Sequence, residues 1–591
     1  MTTPQPTPVD SLWTNLRQLY RLLPSRQRRL IGWMLGLQII AAGSEVLSLG
    51  AVLPFLGALA NTDKLMSHHA LQPWLQFLAI QTPQQFVVVM AAVFGSAFVL
   101  SNALRLLAIR MQYRFSAEIG NTISAEVYRR TLYQPYSFHT QHSSSEIITL
   151  STLDASNVSS SFLPAAFYFA TNSLVVLAIT IALVVIDPWV ALAAAVLVGG
   201  AYELIIIKTR AALQRNGRRT SELNALSVKA IQEGLGGIRD VLIDGTQPVF
   251  ESTFRQANRA MLLAQGTNNF IAMSPRFLVE PVAMLAIAAL AVSMSYDRSQ
   301  LQQVLPVLGA LAFGANRLLP ALQQCFASLA CMRGFQTSLV KVIKGLCWPI
   351  SPEQLTVATQ KLPLSSELRF KDVWFSYPSD PSRWVLSGVS LSIRANTTVA
   401  FIGTTGSGKS TVADLVLGLL QPHRGDITVD GQVLDGEQLR AWQSSIAHVP
   451  QQIYLSDATI AENIAFGVPH ERVDMVRVRQ AAQLARIADF IEQRPLSYQE
   501  MVGERGVRLS GGQRQRIGIA RALYKQASVI VLDEATSALD GTTEKEVMAA
   551  IEGLSHHLTI ILIAHRLSTI QNADATYEIK LGKIAAINNN L

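Results

Sequence analysis

The sequence predicts two unlike parts, an α-helical transmembrane domain with six spans and a C-terminal α/β domain. Three observations predict this division. The chain has 591 residues, more than a single hydrophobic core usually organises. Hydrophobic residues make up 49% of it and charged residues only 15%, against roughly 25% charged in ordinary soluble domains. The apolar excess lies in long runs in the first half, whereas the part after position 366 alternates strand and helix patterns of ordinary polarity.

Six apolar segments are long enough to cross the membrane, which takes about 20 helical residues for ~30 Å of hydrocarbon. They are 30–59, 86–107, 162–186, 189–207, 277–296 and 301–323. Short turns join the third span to the fourth and the fifth to the sixth, so each pair is expected to form a hairpin. The long connections 110–161 and 208–276 are polar and compatible with helices.

Basic residues are concentrated in both long connections and before the first span, whereas the opposite side offers mainly Lys64 and Arg298. By the positive-inside rule, both termini and both long connections are cytoplasmic. The first apolar run is longer than a signal-peptide core, so no cleavable signal is expected. The formal charge of +8 therefore reflects membrane topology, and no nucleic-acid partner is expected. We expect an integral protein of a bacterial inner membrane.

The C-terminal part carries GTTGSGKST between the apolar strand TVAFI and a helical run. This is a P-loop in its required strand–loop–helix context. Glycines let backbone N–H groups face the phosphates, Lys409 supplies a cation and Ser410 a ligand for Mg²⁺. The sequence therefore predicts an α/β P-loop nucleotide-binding domain. Its predicted nucleotide-binding residues here are Gly403, Thr404, Thr405, Gly406, Ser407, Gly408, Lys409, Ser410 and Thr411.

Two further motifs follow the P-loop. VIVLDEA ends a buried strand in two carboxylates, of which Asp533 would hold Mg²⁺ through water and Glu534 would polarise the attacking water. The second motif, LSGGQRQR, lies between the P-loop and VIVLDEA. Its small residues begin a helix and so form a second anion-binding nest. Taken alone, that motif is also compatible with a simple helix N-cap.

With these motifs in this order, the chain resembles an ATP-binding cassette (ABC) exporter half-transporter over nearly its whole length. The resemblance implies ATP and Mg²⁺ as cofactors, and ATP hydrolysis coupled to transmembrane transport. It also implies a homodimer, because the signature motif of one subunit closes over the ATP of the other. The residues that would complete the partner's site are Ser510, Gly511, Gly512 and Gln513.

The resemblance assigns roles to further positions. Tyr377 would stack on adenine, although a core aromatic remains the alternative. Gln451 would touch Mg²⁺ and the attacking water, Asp540 would organise the subunit interface, and His565 would sense the γ-phosphate. The predicted catalytic residues are thus Glu534, His565 and Gln451, and the predicted metal ligands are Ser410, Gln451 and Asp533.

The resemblance also predicts how the domains are joined. We expect a transmembrane domain at 1–335, a linker at 336–366 and the nucleotide-binding domain at 367–591. Coupling helices are expected at about 135–142 and 231–244. They would contact the cassette through Glu504 and Arg505 in EMVGERG.

Cassette motifs report the energy source and not the cargo. VPQQIYLSDATIAENIAFG and NRLLPAL look more like exporters that flip polyprenyl-diphosphate-linked oligosaccharides or related glycolipids than like multidrug pumps. An exporter of peptides or hydrophobic drugs is the alternative, and a cassette-gated channel would share the fold. We therefore expect lipid or glycolipid substrates, with membrane lipids around the spans.

Ionisable residues in the spans indicate where such a substrate binds. Arg105, Arg276 and Arg317 are each expected toward the cytoplasmic leaflet, where guanidinium groups would suit a diphosphate headgroup. Glu45 in the first span is expected to pair with one of them. Snorkelling of Arg105, or an ion pair between Arg276 and Glu280 on one helix, would be a structural alternative. Arg317 is the strongest candidate, because a charge near a span's centre costs about 2.5–3.5 kcal/mol on insertion scales.

Overall fold

The computed structural model describes residues 11–50, 82–186, 195–295, 301–350, 360–533, 558–563 and 573–587. Five single positions between these ranges are also described, namely Phe55, Leu59, Thr62, Met66 and Pro188. Two compact units divide the chain. One comprises Met1–Leu132 and His142–Pro349, and the other comprises Tyr133–Gln141 and Ile350–Leu591.

The first unit is helical. It includes α1 (Leu12–Leu22), α2 (Ser25–Gly50) and α3 (Pro83–Leu132), and α3 continues into the first long connection. The segment Tyr136–Gln141 forms α4, which is counted with the other unit. The remaining helices are α5 (Ser144–Thr149), α6 (Leu163–Ile186), α7 (Gly200–Gly236), α8 (Ile238–Ile243), α9 (Gln247–Ser295), α10 (Leu301–Gly334) and α11 (Gln336–Leu346).

Within the described residues, the predicted spans lie on helices α2, α3, α6, α7, α9 and α10, and several of these helices continue far beyond the apolar run. Residues 195–199 of the fourth span form a π-helical turn before α7. Most of 51–59 in the first span, 189–194 in the fourth span and position 296 in the fifth span lie outside the described residues. The hydropathy pattern cannot set their ends, because the polar extensions remain good helix formers and pack on one another. Among the described residues, Pro83–Leu132 and Ser144–Ile181 meet criteria of length and hydropathy for a membrane span.

The helix between α5 and α6 is locally wider. Leu150–Asp154 and Val158–Phe162 are π-helical turns around the short α-helical segment Ala155–Asn157. Gly120 on α3 lies against this region, where an added Cβ would collide with Ser159. The missing side chain thus allows α3 to approach the widened turn.

The segment expected as the start of the linker is a packed helix. Leu339, Val342 and Ile343 on α11 are buried in one cluster with Ile123 and Val127 of α3. The first unit therefore extends to Pro349, whereas the sequence analysis ended its first domain at residue 335. The sequence QTSLVKVIKGL carries an apolar helix face, and the packing of that face makes this segment part of the helical unit.

The described strands of the second unit form two sheets. Antiparallel strands form the order β2-β1-β4-β5, and the larger sheet has the order β10-β9-β3-β8-β7-β6. In the larger sheet β9, β3, β8, β7 and β6 are parallel, and β10 is antiparallel to β9. The strands are β1 (Glu367–Phe375), β2 (Leu386–Arg394), β3 (Thr398–Ile402), β4 (Arg424–Val429), β5 (Gln432–Val433), β6 (Ile446–Val449), β7 (Val529–Asp533), β8 (Thr559–Ile563), β9 (Ala575–Lys580) and β10 (Lys583–Ile587).

Helices flank these sheets. They are α12 (Lys409–Val416), α13 (Gly436–Ser445), α14 (Ile460–Ile464), α15 (Met475–Leu484), α16 (Ala488–Glu492) and α17 (Gly511–Tyr524). Trp442 on α13 is fully buried, and its Nε1 donates a 2.7 Å hydrogen bond to Val416 O at the end of α12. Because it fills the core and satisfies a terminal helix carbonyl, replacing it with alanine should cost about 3–5 kcal/mol.

Candidate functional site

The predicted ATP-site motifs meet at one edge of the larger sheet. Strand β3 leads into the P-loop and α12, β7 ends at Asp533, and β6 ends two residues before Gln451. These strands are parallel, so their carboxyl ends lie along the same edge, where ligands of α/β folds bind. The topology therefore brings together motifs that are up to 130 residues apart in the sequence (533 − 403).

The P-loop has a backbone that only glycine adopts readily. Gly403, Gly406 and Gly408 have φ of 148°, 79° and 110°. An added Cβ at Gly403 would collide with Ile579 O. The loop is thus held close to β9, and it turns directly into α12, whose N-terminus favours an anion.

The lysine and serine of the loop complete a cradle for phosphate. Lys409 is 7% exposed, and its Nζ donates to Gly403 O at 2.8 Å and Thr404 O at 3.0 Å. Ser407 is buried, and its Oγ has no hydrogen-bond partner among the described residues. A buried cation and an unsatisfied buried hydroxyl beside a helix N-terminus fit a nucleotide phosphate. Ser410 is exposed at the start of α12, where its hydroxyl could ligate Mg²⁺.

Tyr377 lies next to this loop. Its hydroxyl is 3.1 Å from Thr411 Oγ1, and its ring makes an edge contact with Phe375 at 5.1 Å between centroids. The side chain also packs partly against the core beside β1. Tyr377 thus has the core packing that the sequence analysis gave as its alternative role. Its stacking on adenine stays a prediction.

Asp414 is a site residue that the sequence analysis missed. It lies on α12, five residues after Lys409, and burial together with the nearby Asp533 raises the pKa of Asp414 to about 6. A second carboxyl group beside the predicted Mg²⁺ ligand makes this corner more attractive to a cation. An acid in the first turns of the P-loop helix was the available signal.

The signature motif forms the N-terminus of α17. Ser510 Oγ accepts from Gln513 N at 3.3 Å, while Gln513 Oε1 accepts from Ser510 N at 2.8 Å, a reciprocal capping box. The N-cap considered above is therefore present. It leaves the positive end of the helix dipole at Gly511 and Gly512, as an anion nest requires.

Three predicted ATP-site residues, Glu534, Asp540 and His565, lie outside the described residues. Gln451 is exposed two residues after the end of β6. Glu504 and Arg505 form a short 3₁₀ turn, Glu504–Gly506, before the signature motif. The roles assigned to all these residues stay predictions.

The first predicted coupling segment has α4 at its centre. Burial, followed by Asp414 and Tyr377, raises the pKa of Tyr136 at the start of this helix. The second predicted coupling segment contains α8, within the first unit. Tyr136 thus lies within electrostatic reach of the P-loop helix and of the residue predicted to contact adenine.

Charged residues within the predicted spans form a second candidate site. Glu45 Oε1 on α2 accepts from Arg105 Nη1 on α3 at 3.2 Å and from Arg317 Nη1 on α10 at 3.4 Å. The guanidinium carbon of Arg317 also lies 5.3 Å from the centre of the Phe98 ring on α3. We call Glu45, Arg105 and Arg317 the arginine cluster. The expected pairing of Glu45 is thus present, with two arginines rather than one.

Arg276 is not part of this cluster in the single chain. Its Nε donates to Glu280 Oε2 at 3.0 Å on the same helix, α9, and both side chains are exposed. Of the three arginines expected toward the cytoplasmic leaflet, two therefore meet in this cluster. The third, Arg276, has its charge paired with Glu280 one turn along the same helix.

Gln38 on α2 is a further polar residue that the sequence analysis missed. It lies seven residues before Glu45, on the same helix face. It is 1% exposed, and neither atom of its amide has a hydrogen-bond partner among the described residues. An unsatisfied buried amide on a membrane span is costly and typical of functional positions.

A P-loop at a parallel sheet edge, a signature helix and a helical membrane unit define an ATP-driven membrane transporter. Two family models match the chain: ABC transporter transmembrane region over residues 52–309 and ABC transporter over 386–537. The chain belongs to the ABC transporter family. It is therefore an integral membrane protein that binds ATP with Mg²⁺ and couples ATP hydrolysis to transport, on an exporter-type fold.

Relatives and a solved structure agree with this assignment. The chain is 32% identical over 474 residues to an ATP-dependent lipid A-core flippase of Cupriavidus metallidurans, covering 78% of this chain and 77% of the relative. It is 31% identical over 477 residues to ATP-dependent lipid A-core flippase 2 of Colwellia psychrerythraea, covering 79% and 80%. A bacterial Atm1-family ABC exporter with ATP bound has the same fold, with a TM-score of 0.76 at 24% identity over 94% of each chain.

Proposed function

We propose that the protein is an ATP-driven flippase for a phosphate-bearing amphipathic glycolipid, moved from the cytoplasmic leaflet across the membrane. The substrate class comprises lipid-linked oligosaccharides and glycolipids of the lipid A-core type. The arginine cluster is the observation that carries this proposal. Two guanidinium groups within predicted spans match phosphate oxygens by charge and geometry.

The names of the relatives support a lipid substrate. Both relatives described above are lipid A-core flippases and align over more than three quarters of this chain. Their substrate carries phosphate on a glycolipid, which is the chemistry that the arginine cluster would recognise. An exporter of peptides or hydrophobic drugs is the second candidate, but an apolar drug would leave the paired charges of the cluster without a role.

The assembly that we propose is a homodimer in a bacterial inner membrane, with both termini in the cytoplasm. One chain carries one P-loop and one signature helix, each suited to one side of a bound ATP. Ser510 at the cap of α17 is exposed, so the positive N-terminus of this helix is accessible to an ATP held by a second copy. The density of arginine and lysine in the long connections supports this orientation.

Each residue of the proposed ATP site has a separate role toward the nucleotide, the metal or the attacking water. Bound ATP would supply the free energy of hydrolysis, and Mg²⁺ would offset the negative charge of its phosphates. The P-loop amides and Lys409 would hold the β- and γ-phosphates, and Ser410, Asp533 and Gln451 would hold the metal. Glu534 would orient the attacking water, and His565 would contact the γ-phosphate.

Transport of a defined lipid tests the proposal. The purified protein in liposomes should show ATP-dependent movement of a labelled polyprenyl-diphosphate oligosaccharide or of lipid A-core, and stimulated ATP hydrolysis. The variant Lys409→Ala serves as the inactive control. If peptides or hydrophobic drugs stimulate hydrolysis and are transported while both phosphorylated lipids are ignored, the second candidate replaces the proposal.

A further inference from the structure

The arginine cluster is already occupied by an anion of the protein itself. A single oxygen of Glu45 accepts from both arginines, at 3.2 and 3.4 Å. Charge-assisted pairs of this kind are usually ~2.7–2.9 Å long and often bidentate. Neither guanidinium therefore uses its planar fork on Glu45, and among the described residues most of their N–H donors have no other acceptor.

The charges of the cluster define what such an acceptor must be. Two guanidinium groups and one carboxylate sum to a single positive charge. A monoanionic phosphodiester that displaced Glu45 would replace one negative charge with another, so the arginines would gain no additional attraction. Glu45 is tethered, so it competes at a high effective concentration. A headgroup with two or more negative charges gains additional attraction from both arginines and overcomes this competition.

Packing holds the competitor in place. Ala41 and Ala42, on the turn before Glu45, are buried. Ser44 Oγ donates to Ala41 O at 2.7 Å and lies 3.3 Å from Ser101 Oγ on α3. The Glu45 side chain is 14% exposed, against 24% for Arg317 and 51% for Arg105. These contacts hold α2 against α3 beside Glu45, whose carboxylate is the least exposed group of the cluster, while Arg105 remains open to an arriving headgroup.

Resting on the proposed function, we propose that Glu45 is a charge filter. It admits headgroups that carry a phosphate monoester or diphosphate and rejects monoanionic phospholipids. Ordinary anionic phospholipids greatly outnumber any transport substrate in a bacterial membrane. Without a counter-charge, the two arginines would bind these abundant phospholipids. The Glu45 carboxylate removes the electrostatic gain of that binding.

The variant Glu45→Gln tests the filter, because it keeps the shape and removes the charge. ATP hydrolysis is measured in phosphatidylcholine liposomes that contain phosphatidylglycerol as the monoanionic probe, or lipid A or a polyprenyl diphosphate as a multiply charged probe. The wild type should respond to lipid A and be indifferent to phosphatidylglycerol. The variant should respond to phosphatidylglycerol at a concentration at least about tenfold lower than any wild-type response, while lipid A still stimulates it.

Two further variants make the result specific. Glu45→Asp keeps the charge and should keep the selectivity. Glu203→Gln removes an exposed carboxylate from α7 and should behave as the wild type. A folded Glu45→Gln protein that still ignores phosphatidylglycerol overturns the filter while leaving the proposed function intact. A wild type that responds to neither lipid A nor a polyprenyl diphosphate overturns the proposed function instead.

Discussion

Arg317 and Glu45, which are 272 positions apart in the chain, form an ion pair between two predicted membrane spans, with 3.4 Å between Nη1 and Oε1. Glu45 also pairs with Arg105 at 3.2 Å, so removing Arg317 takes away one of the two guanidinium partners of a carboxylate that lies in a setting of low polarity. Arg317 therefore has both a structural partner and a chemical capacity for phosphate, and substitutions must separate the two.

The variant Arg317→Ala should abolish lipid movement and lipid-stimulated hydrolysis while basal ATP hydrolysis persists, because the ATP site lies in the other unit. Arg317→Lys should restore activity only in part, since lysine keeps the charge and loses the bidentate fork. Arg276→Ala is the matched comparison and should have a smaller effect, because Arg276 is paired on its own helix. Wild-type transport by folded, dimeric Arg317→Ala protein would refute the role in substrate binding.

The variant Glu534→Gln should bind ATP and fail to turn it over. The amide keeps the shape of the side chain but cannot polarise the attacking water, and losses of about 10²–10⁴ are typical of a missing general base. Nucleotide binding and steady-state hydrolysis, measured on the same preparation, check this. Near-normal hydrolysis would remove Glu534 from the catalytic group.

Mixed dimers test whether the ATP sites are shared between two chains. Lys409→Ala and Ser510→Ala subunits should each be inactive as homodimers. A mixed dimer would combine both defects in one interface site and leave the other site intact, so some hydrolysis should return. Mixed dimers that form, as shown by dual-tag purification, and recover nothing would count against independent shared sites.

Asp414 should make the stability of the nucleotide-free protein depend on pH. Its pKa is raised from 3.8 to about 6 in the folded protein, so the folded state prefers the protonated form. Its contribution to the free energy of unfolding is complete below pH ~4 and is lost as the pH rises through about 6. Asp414→Asn should therefore raise the melting temperature in EDTA more at pH 7.5 than at pH 5.

The exposed acid Asp426 on β4 supplies the control for this pH series, and Asp426→Asn should show no such trend. At pH 7.5, Mg²⁺ with ATP should reduce the difference in melting temperature between Asp414→Asn and the wild type, because the cation offsets the negative charge of the neighbouring carboxylates. A difference that is constant across the pH range would exclude the charge of Asp414 as its cause.

Arg521 should hold the signature helix to α14. Its Nε donates to Asn463 O at 2.9 Å, and its guanidinium lies 4.5 Å from the Phe466 ring centre. Asn463 is fully buried, so Arg521→Met leaves its carbonyl unpaired at a cost of about 1–3 kcal/mol. A drop of several degrees in melting temperature is expected. Arg472→Met, on an exposed turn, should leave the melting temperature unchanged.

The sequence by itself determined the identity of the ATP site. A P-loop needs fixed residues at fixed spacing, so Gly403 to Thr411 could be recognised without a structure, as could the signature at Ser510. The division into a helical membrane part and an α/β part also followed from local patterns of hydropathy. Motifs of this kind are short, and the residues that carry their chemistry are close together in the sequence.

Only the tertiary structure decided which distant residues meet. Hydropathy indicated that Arg105, Arg276 and Arg317 are conspicuous, but not that two of them share Glu45 while the third pairs with Glu280. The proximity of Asp414 to Asp533 and the packing of α11 on α3 were equally invisible. These relationships depend on how helices rotate and cross, and side-chain packing over the whole unit sets those angles.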